Sequence, residues 1–218
     1  LAIQPVELPE YRFRRAAMAY NMRYHPVLGA LHKALAGEEI VAAQVYSGQY
    51  LPDWRPGTDY RRSYSAKREL GGGVLRDLSH EIDYMAWLFG GWRRLVALGG
   101  RLGGLEIDSD DCWGVLAEYE RCRLVTLQLN YLDHPGRREI IVNTKVHTFR
   151  ADLKSATLEI DGQISSMPCL LDDTFRAQHA AMLAGEMTRA CSLEEGAQVM
   201  RFLSACETAA SSGGWVGA

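Results

Sequence analysis

The sequence predicts an α+β fold, in which one large, mainly antiparallel, open-faced sheet carries helices on one of its faces. Three observations lead there. Leu75, Leu78, Ile82, Met85 and Phe89 recur at intervals of 3, 4, 3 and 4, the spacing of one helical stripe. Short alternating segments crowd the stretch from 92 to about 161, several joined by turns too tight for a parallel crossover. Helical patterns then return, so helices and strands are segregated along the chain and do not alternate.

Taken in order, residues 1–15 hold Pro5, Pro9 and the run Arg12-Phe13-Arg14-Arg15, an irregular or weakly helical lead-in. Ala16 to Tyr20 is short and apolar. Pro26 suits the first turn of a helix whose apolar face is supplied by Val27 to Leu35 and which Gly37 ends. Ile40 to Tyr50 reads as a strand. Residues 51–70 form a long loop, and loops of that length in a compact domain are commonly functional. Three glycines, Gly71 to Gly73, open the helix of the first stripe, and Gly90-Gly91 stops it. Glycines at a helix entry allow a backbone or a ligand to approach where side chains would block it. In the strand-rich block Val125, Leu127, Leu129 and Tyr131 alternate with Thr126, Gln128 and Asn130, and Trp113 to Tyr119 alternate less cleanly. Leu95 to Leu105, Glu139 to Asn143, Val146 to Leu153 and Ala156 to Ile160 are four more expected strands. Asp172 or Asp173 caps a helix expected to reach about Ala190. Ser192-Leu193-Glu194-Glu195 has capping-box spacing and opens a last helix with the stripe Val199, Leu203, Cys206 and Ala210.

Composition removes several classes of function. The chain has 218 residues, 47% hydrophobic and 23% charged, an ordinary globular balance. A net charge of −3 gives no footprint for nucleic acid or an acidic membrane surface. No apolar run approaches the ~18 residues of a membrane span. Five cysteines without a CxxC pair fit reduced thiols in a cytoplasm, not a disulfide frame or a zinc site. His25, His32, His134, His147 and His179 lack metal-ligand spacing and read as surface or packing residues. The chain begins at Leu1, which reads as an expressed segment, a proteolytic remnant or a truncated product.

Asp77 and His80 carry the clearest chemical signal. At about 100° per residue they share the helix side opposite the apolar stripe, together with Tyr84. A histidine titrates near neutral pH, and a nearby carboxylate can orient its ring, which suits proton transfer to or from a hydroxyl. The loop residues Asp53, Trp54, Arg55, Asp59 and Tyr60 have the composition of sugar sites, where an aromatic face stacks on C–H groups and charges read hydroxyls. The bland alternative is a loop pinned by its own Trp and Pro residues. Lys67, Arg68 and Glu69 read as a solvated run. No Gly-x-Gly-x-x-Gly unit leads into a helix, and the stretch Gly99 to Gly104 has no helical pattern after it.

The run GGGVLRDLSHEIDYMAWLFG at 71–90 resembles a motif of the Gfo/Idh/MocA family of two-domain NAD(P)-dependent sugar dehydrogenases. The resemblance is to the second domain. It extends through YNMRYHP at 20–26, QYLPDWRPGTDYRRSYSA at 49–66 and CSLEEGAQVMRF at 191–202, and covers most of the chain from Tyr20 onward. It implies that 1–19 is a remnant of the nucleotide-domain side, with Ala16 to Tyr20 its last strand, and that 20–218 is the α+β domain. It implies His80 as the acid/base group, with Asp77 positioning it or the substrate hydroxyls. It places Asn21 and Arg23 at the domain junction, where Arg23 holds a substrate oxygen or an interdomain salt bridge. It implies NAD or NADP in the intact protein, with none held by this chain alone, a small sugar-like substrate, and a homodimer or dimer of dimers built through the open sheet face. Two departures stand out: Asp77 and His80 are three apart where the family usually has four, and no Glu-Lys-Pro motif is present. These leave a second reading, a non-catalytic binding or assembly module that has lost its cofactor domain.

Overall fold

The computed structural model describes residues 13–170 and 172–218. The expected lead-in over 1–12 lies outside the described residues. Helix α1 (Pro26–Ala34) starts at a proline and is capped by the His25 ring, whose Nδ1 accepts from the Val27 amide at 3.3 Å. Strand β1 (Ile40–Gly48) follows, then a loop of single 3-10 turns. Helices α2 (Val74–Asp77) and α3 (Ser79–Phe89) replace the one continuous helix expected from the stripe. Leu78 separates them, with φ −98° and ψ 29°.

Among the described residues nine strands form one sheet: β1, then β2 (Trp92–Gly100), β3 (Cys112–Tyr119), β4 (Val125–Asn130), β5 (Arg137–Thr144), β6 (Thr148–Asp152), β7 (Thr157–Ile160), β8 (Gln163–Ser166) and β9 (Val216–Gly217). Their spatial order is β8-β7-β6-β5-β1-β4-β3-β2-β9. Every neighbouring pair is antiparallel except β1 with β4, which the long excursion through the helices makes possible. The short strands β8 and β9 at the two edges were not evident in the sequence. The expected strand from Leu95 to Leu105 starts earlier and stops at Gly100, where the chain turns irregular.

The alternation in β4 holds: Val125, Leu127 and Leu129 are buried while Thr126 and Gln128 are exposed. With Val45, Val115, Leu95, Ile140 and Val142 they form the core face of the sheet. α1, α3 and α5 (Leu193–Ser212) cover it. The capping box of α5 is formed, with the Glu195 amide donating to Ser192 Oγ at 3.1 Å and the Ser192 amide donating to Glu195 Oε2 at 2.7 Å. Helix α4 (Asp173–Ala184) ends six residues before the expected Ala190, because Gly185 takes a left-handed φ of 83° and closes it. Among the described residues no helix lies on the other sheet face, which exposes Leu98.

The glycines at the entry to α2 meet protein. A Cβ on Gly72 would lie 2.0 Å from the Tyr64 carbonyl, and one on Gly73 would lie 2.2 Å from Asp110 Oδ1. Asp110 Oδ2 accepts from the Leu75 amide and from Trp113 Nε1, both at 2.9 Å. A carboxylate from the loop before β3 therefore caps α2, and only glycine leaves it room.

Candidate functional site

α3 is buried on more than its apolar stripe. Tyr84, expected on the polar side beside His80, is fully buried, and so are Glu81 and Asp83. The helix lies between the sheet and the outer helices, so its charges find partners inside. Arg138 Nε donates to Glu81 Oε1 at 2.7 Å. Arg23 Nη2 donates to Asp83 Oδ1 at 2.8 Å, and its Nη1 reaches Glu195 Oε1 at 2.9 Å. Burial pushes the Asp83 carboxyl up, and the adjacent guanidinium, which does not lose its proton, offsets part of that. Arg23 is thus occupied by an ion pair within the domain, only 1% exposed, and does not line the cavity described below.

The break at Leu78 sends Asp77 and His80 to different neighbours. The Tyr131 hydroxyl donates to Asp77 Oδ2 at 2.7 Å, and Tyr64 and Ser65 also bond this carboxylate. Burial nevertheless raises its pKa, with Asp110 adding repulsion. The His80 ring instead meets Tyr20 edge-on, at 5.3 Å between centroids. Among the described residues no hydrogen bond joins Asp77 to His80, so Asp77 does not orient that ring. His80 Nδ1 is buried without a partner. Burial lowers the pKa of His80, the nearby Glu81 opposes this and Arg138 adds to it, so the ring is neutral near pH 7.

His80, Leu78, Trp54 and Asn21 line a cavity of about 430 Å³. The wall also includes Arg137 and Arg138 from β5, Lys154 from the loop after β6, Leu170 before α4, and Thr174 and Phe175 in its first turn. Asn21 Nδ2 donates to Thr174 Oγ1 at 2.6 Å, which ties α4 to the cavity floor. Trp54 Nε1 donates to the Gln49 carbonyl at 3.2 Å and its ring stands edge-on to Tyr131. The remaining loop candidates lie elsewhere. Asp59 pairs with Arg61, Tyr60 Oη accepts from the Glu106 amide at 3.3 Å, Arg55 lies over the Tyr64 ring, and Asp53 is exposed opposite His134. Of the nine residues singled out in the sequence, Asn21, Trp54 and His80 reach the cavity. The basic wall was missed, since Arg137 and Arg138 of β5 and Lys154 of the loop after β6 lie 57 or more positions after His80 and carry no motif.

Residues 30–152, more than half of the chain, match the family model described as the GFO/IDH/MocA C-terminal domain. The chain belongs to the GFO/IDH/MocA family. None of the curated proteins compared with it matches. Solved structures share its fold. Levoglucosan dehydrogenase in complex with NADH and levoglucosan superposes with a TM-score of 0.79 at 14% identity, over 93% of this chain and 66% of that one. An oxidoreductase from Thermotoga maritima gives 0.75 at 15%, over 92% and 61%. An Agrobacterium radiobacter oxidoreductase in complex with NAD+, L-tartaric acid and magnesium gives 0.74 at 17%, over 92% and 64%. The chain therefore spans between three fifths and two thirds of these proteins. Five free cysteines and no cluster of metal-ligating side chains occur among the described residues. The same residues include no helix long and apolar enough to cross a membrane.

Proposed function

We propose that this chain is the substrate and oligomerisation domain of a cytoplasmic NAD(P)-dependent oxidoreductase that moves a hydride between nicotinamide and a hydroxyl of a sugar or polyol. In this reading residues 20–218 are the domain and 1–19 the remnant of its junction with a nucleotide-binding domain. The observation that carries it is His80: a neutral imidazole on the wall of a cavity large enough for a hexose, with neither ring nitrogen hydrogen-bonded among the described residues. Nδ1 is enclosed, which leaves Nε2 to meet a bound hydroxyl. A neutral imidazole there can take the hydroxyl proton as the carbinol hydride departs, and can return it in the reverse direction. The cofactor supplies the hydride acceptor. Trp54 offers an aromatic edge to the ring, and Asn21 fixes the cavity floor. Levoglucosan dehydrogenase binds levoglucosan and, in another complex, L-sorbose, which supports a sugar as the substrate class. The cofactor site itself belongs to the nucleotide-binding side, since nothing in this sequence offers a phosphate-binding glycine loop.

The test uses the intact protein with NAD or NADP and a broad panel of sugars and polyols. Nicotinamide reduction is expected, and His80→Ala is expected to lower turnover by roughly 10²–10⁴-fold, as for a lost acid/base. No reduction across the panel would sink this reading in favour of a non-catalytic module, and a His80→Ala protein with near-normal turnover would exclude His80 from the chemistry.

A further inference from the structure

We propose that the ligand of this cavity carries a single negative charge, a carboxylate on the sugar, and that Lys154 recognises it; this rests on the sugar-site reading above. The cavity wall carries three cations, Arg137, Arg138 and Lys154, and no aspartate or glutamate among the described residues that line it. Two of those cations are already matched. Arg138 pairs with the buried Glu81 at 2.7 Å. Arg137 pairs with Asp133 at 3.2 Å and lies over the Tyr46 ring. Lys154 is different. Its Nζ has one weak partner, the neutral Gln49 Oε1 at 3.4 Å, and no carboxylate within ion-pair distance among the described residues. Asp152 is the nearest acidic neighbour in sequence, but its Oδ1 accepts from the backbone amides of Lys154 and Ser155, at 2.8 and 3.0 Å.

The position of Lys154 is built. The Leu153 amide donates to the Arg138 carbonyl at 2.9 Å, and the His25 ring bonds the Leu153 backbone. Lys154 Nζ lies over Gly136, where an added Cβ would come within 3.0 Å of it. Gly136 leaves the ammonium room to lie along the cavity rim beside Gln49. The rest of the wall mixes apolar Met22, Leu78, Leu153 and Phe175 with the uncharged Asn21, Ser47, Gln49 and Thr174, and none of these carries a negative charge. A cation without an anionic partner at that wall favours an anion, and a charge-assisted hydrogen bond to a carboxylate oxygen is among the strong bonds it can form. After the two internal pairs are formed one positive charge is left over. A carboxylate matches it, whereas a phosphate dianion would leave negative charge unmatched.

The experiment measures binding and turnover separately on the intact protein, with D-glucose, D-glucuronate and D-glucose 6-phosphate as probes. Binding without cofactor, by saturation-transfer NMR titration, is expected to favour glucuronate over glucose by about tenfold or more, the worth of one charge-assisted hydrogen bond. Lys154→Met is expected to erase that preference, and Lys154→Arg to restore part of it. Lys154 is exposed, so the variants are expected to fold, which circular dichroism checks. Equal binding of glucose and glucuronate, or an unaltered preference in Lys154→Met, overturns the proposal. Tighter binding of glucose 6-phosphate overturns the carboxylate assignment in favour of phosphate. Glucuronate binding that depends on Lys154 without nicotinamide reduction upholds this inference and sinks the oxidoreductase reading. Reduction with neutral sugars and no preference for glucuronate does the reverse.

Discussion

The Tyr131 hydroxyl donates to the Asp77 carboxylate at 2.7 Å, fastening the end of β4 to the end of α2. Tyr131 is fully buried, and burial together with the facing carboxylate pushes its pKa far up, so it stays a donor at every accessible pH. The bond decides where Asp77 points, and with the break at Leu78 it keeps that carboxylate away from His80.

Tyr131→Phe removes the donor and leaves a half-buried carboxylate with fewer partners. The expected cost is about 1–3 kcal/mol. Denaturant unfolding measures it, and Asp77→Asn in the Tyr131→Phe background should recover part of the loss. No change on Tyr131→Phe would mean that Tyr64 and Ser65 suffice.

Arg23 and Asp83 form a buried pair, both almost inaccessible to solvent. Removing one partner strands the other charge. Arg23→Met is expected to cost about 3–5 kcal/mol, and adding Asp83→Leu to recover much of it. The check is a double-mutant cycle by chemical unfolding. A single-variant loss under about 1 kcal/mol would show that Asp83 simply takes up a proton.

Stability is expected to fall as pH drops below neutrality. Burial holds both His25 and His80 below the ordinary histidine value of 6.5, and Arg138 repels the charged form of each. The unfolded chain therefore binds more protons than the folded one below 6.5, so the folded state loses ground until its own lower pKa values are passed. His147 works the other way. Its bond to Asp161 raises its pKa, so what it contributes is present below 6.5 and fades as pH rises through the raised value. Melting temperatures from pH 8 to about 5 check the sign. In His80→Asn the slope should be shallower, and an unchanged slope would exclude His80 as a contributor.

The helix-free sheet face predicts association. Leu98 is 73% exposed and Ile164 69%, and in register they share that face with Thr126, Gln128, Leu116 and Ile141. The centre from Leu116 and Thr126 to Ile141 is uncharged, with Arg150 and Glu159 between it and Ile164, and such a centre suits contact with a second copy better than contact with water. Light scattering behind size-exclusion chromatography, at micromolar concentration, should give a dimer or a tetramer. Leu98→Arg should shift it toward monomer. A monomer of the unaltered chain, 24.3 kDa, would refute the assignment.

What the sequence determined by itself was everything governed by local period and local chemistry. The alternation of Val125, Leu127 and Leu129 set which side of β4 is buried, since a strand's side chains face opposite sides by turns. Pro26 and Ser192 set two helix starts, and the glycine run marked a close approach. The motif order indicated the family. Tertiary structure alone decided the rest. The stripe from Leu75 to Phe89 could not reveal the break at Leu78, because a single non-helical residue leaves the apolar spacing nearly intact. Arg23 and Asp83, 60 positions apart, become one ion pair only when α3 is enclosed. Lys154 has no local signal at all. It reaches the wall of the His80 cavity because β5 pairs with both β1 and β6 and carries that loop alongside it. Period fixes which face of an element is buried. Which distant side chains then meet is set by sheet order, which no local window contains.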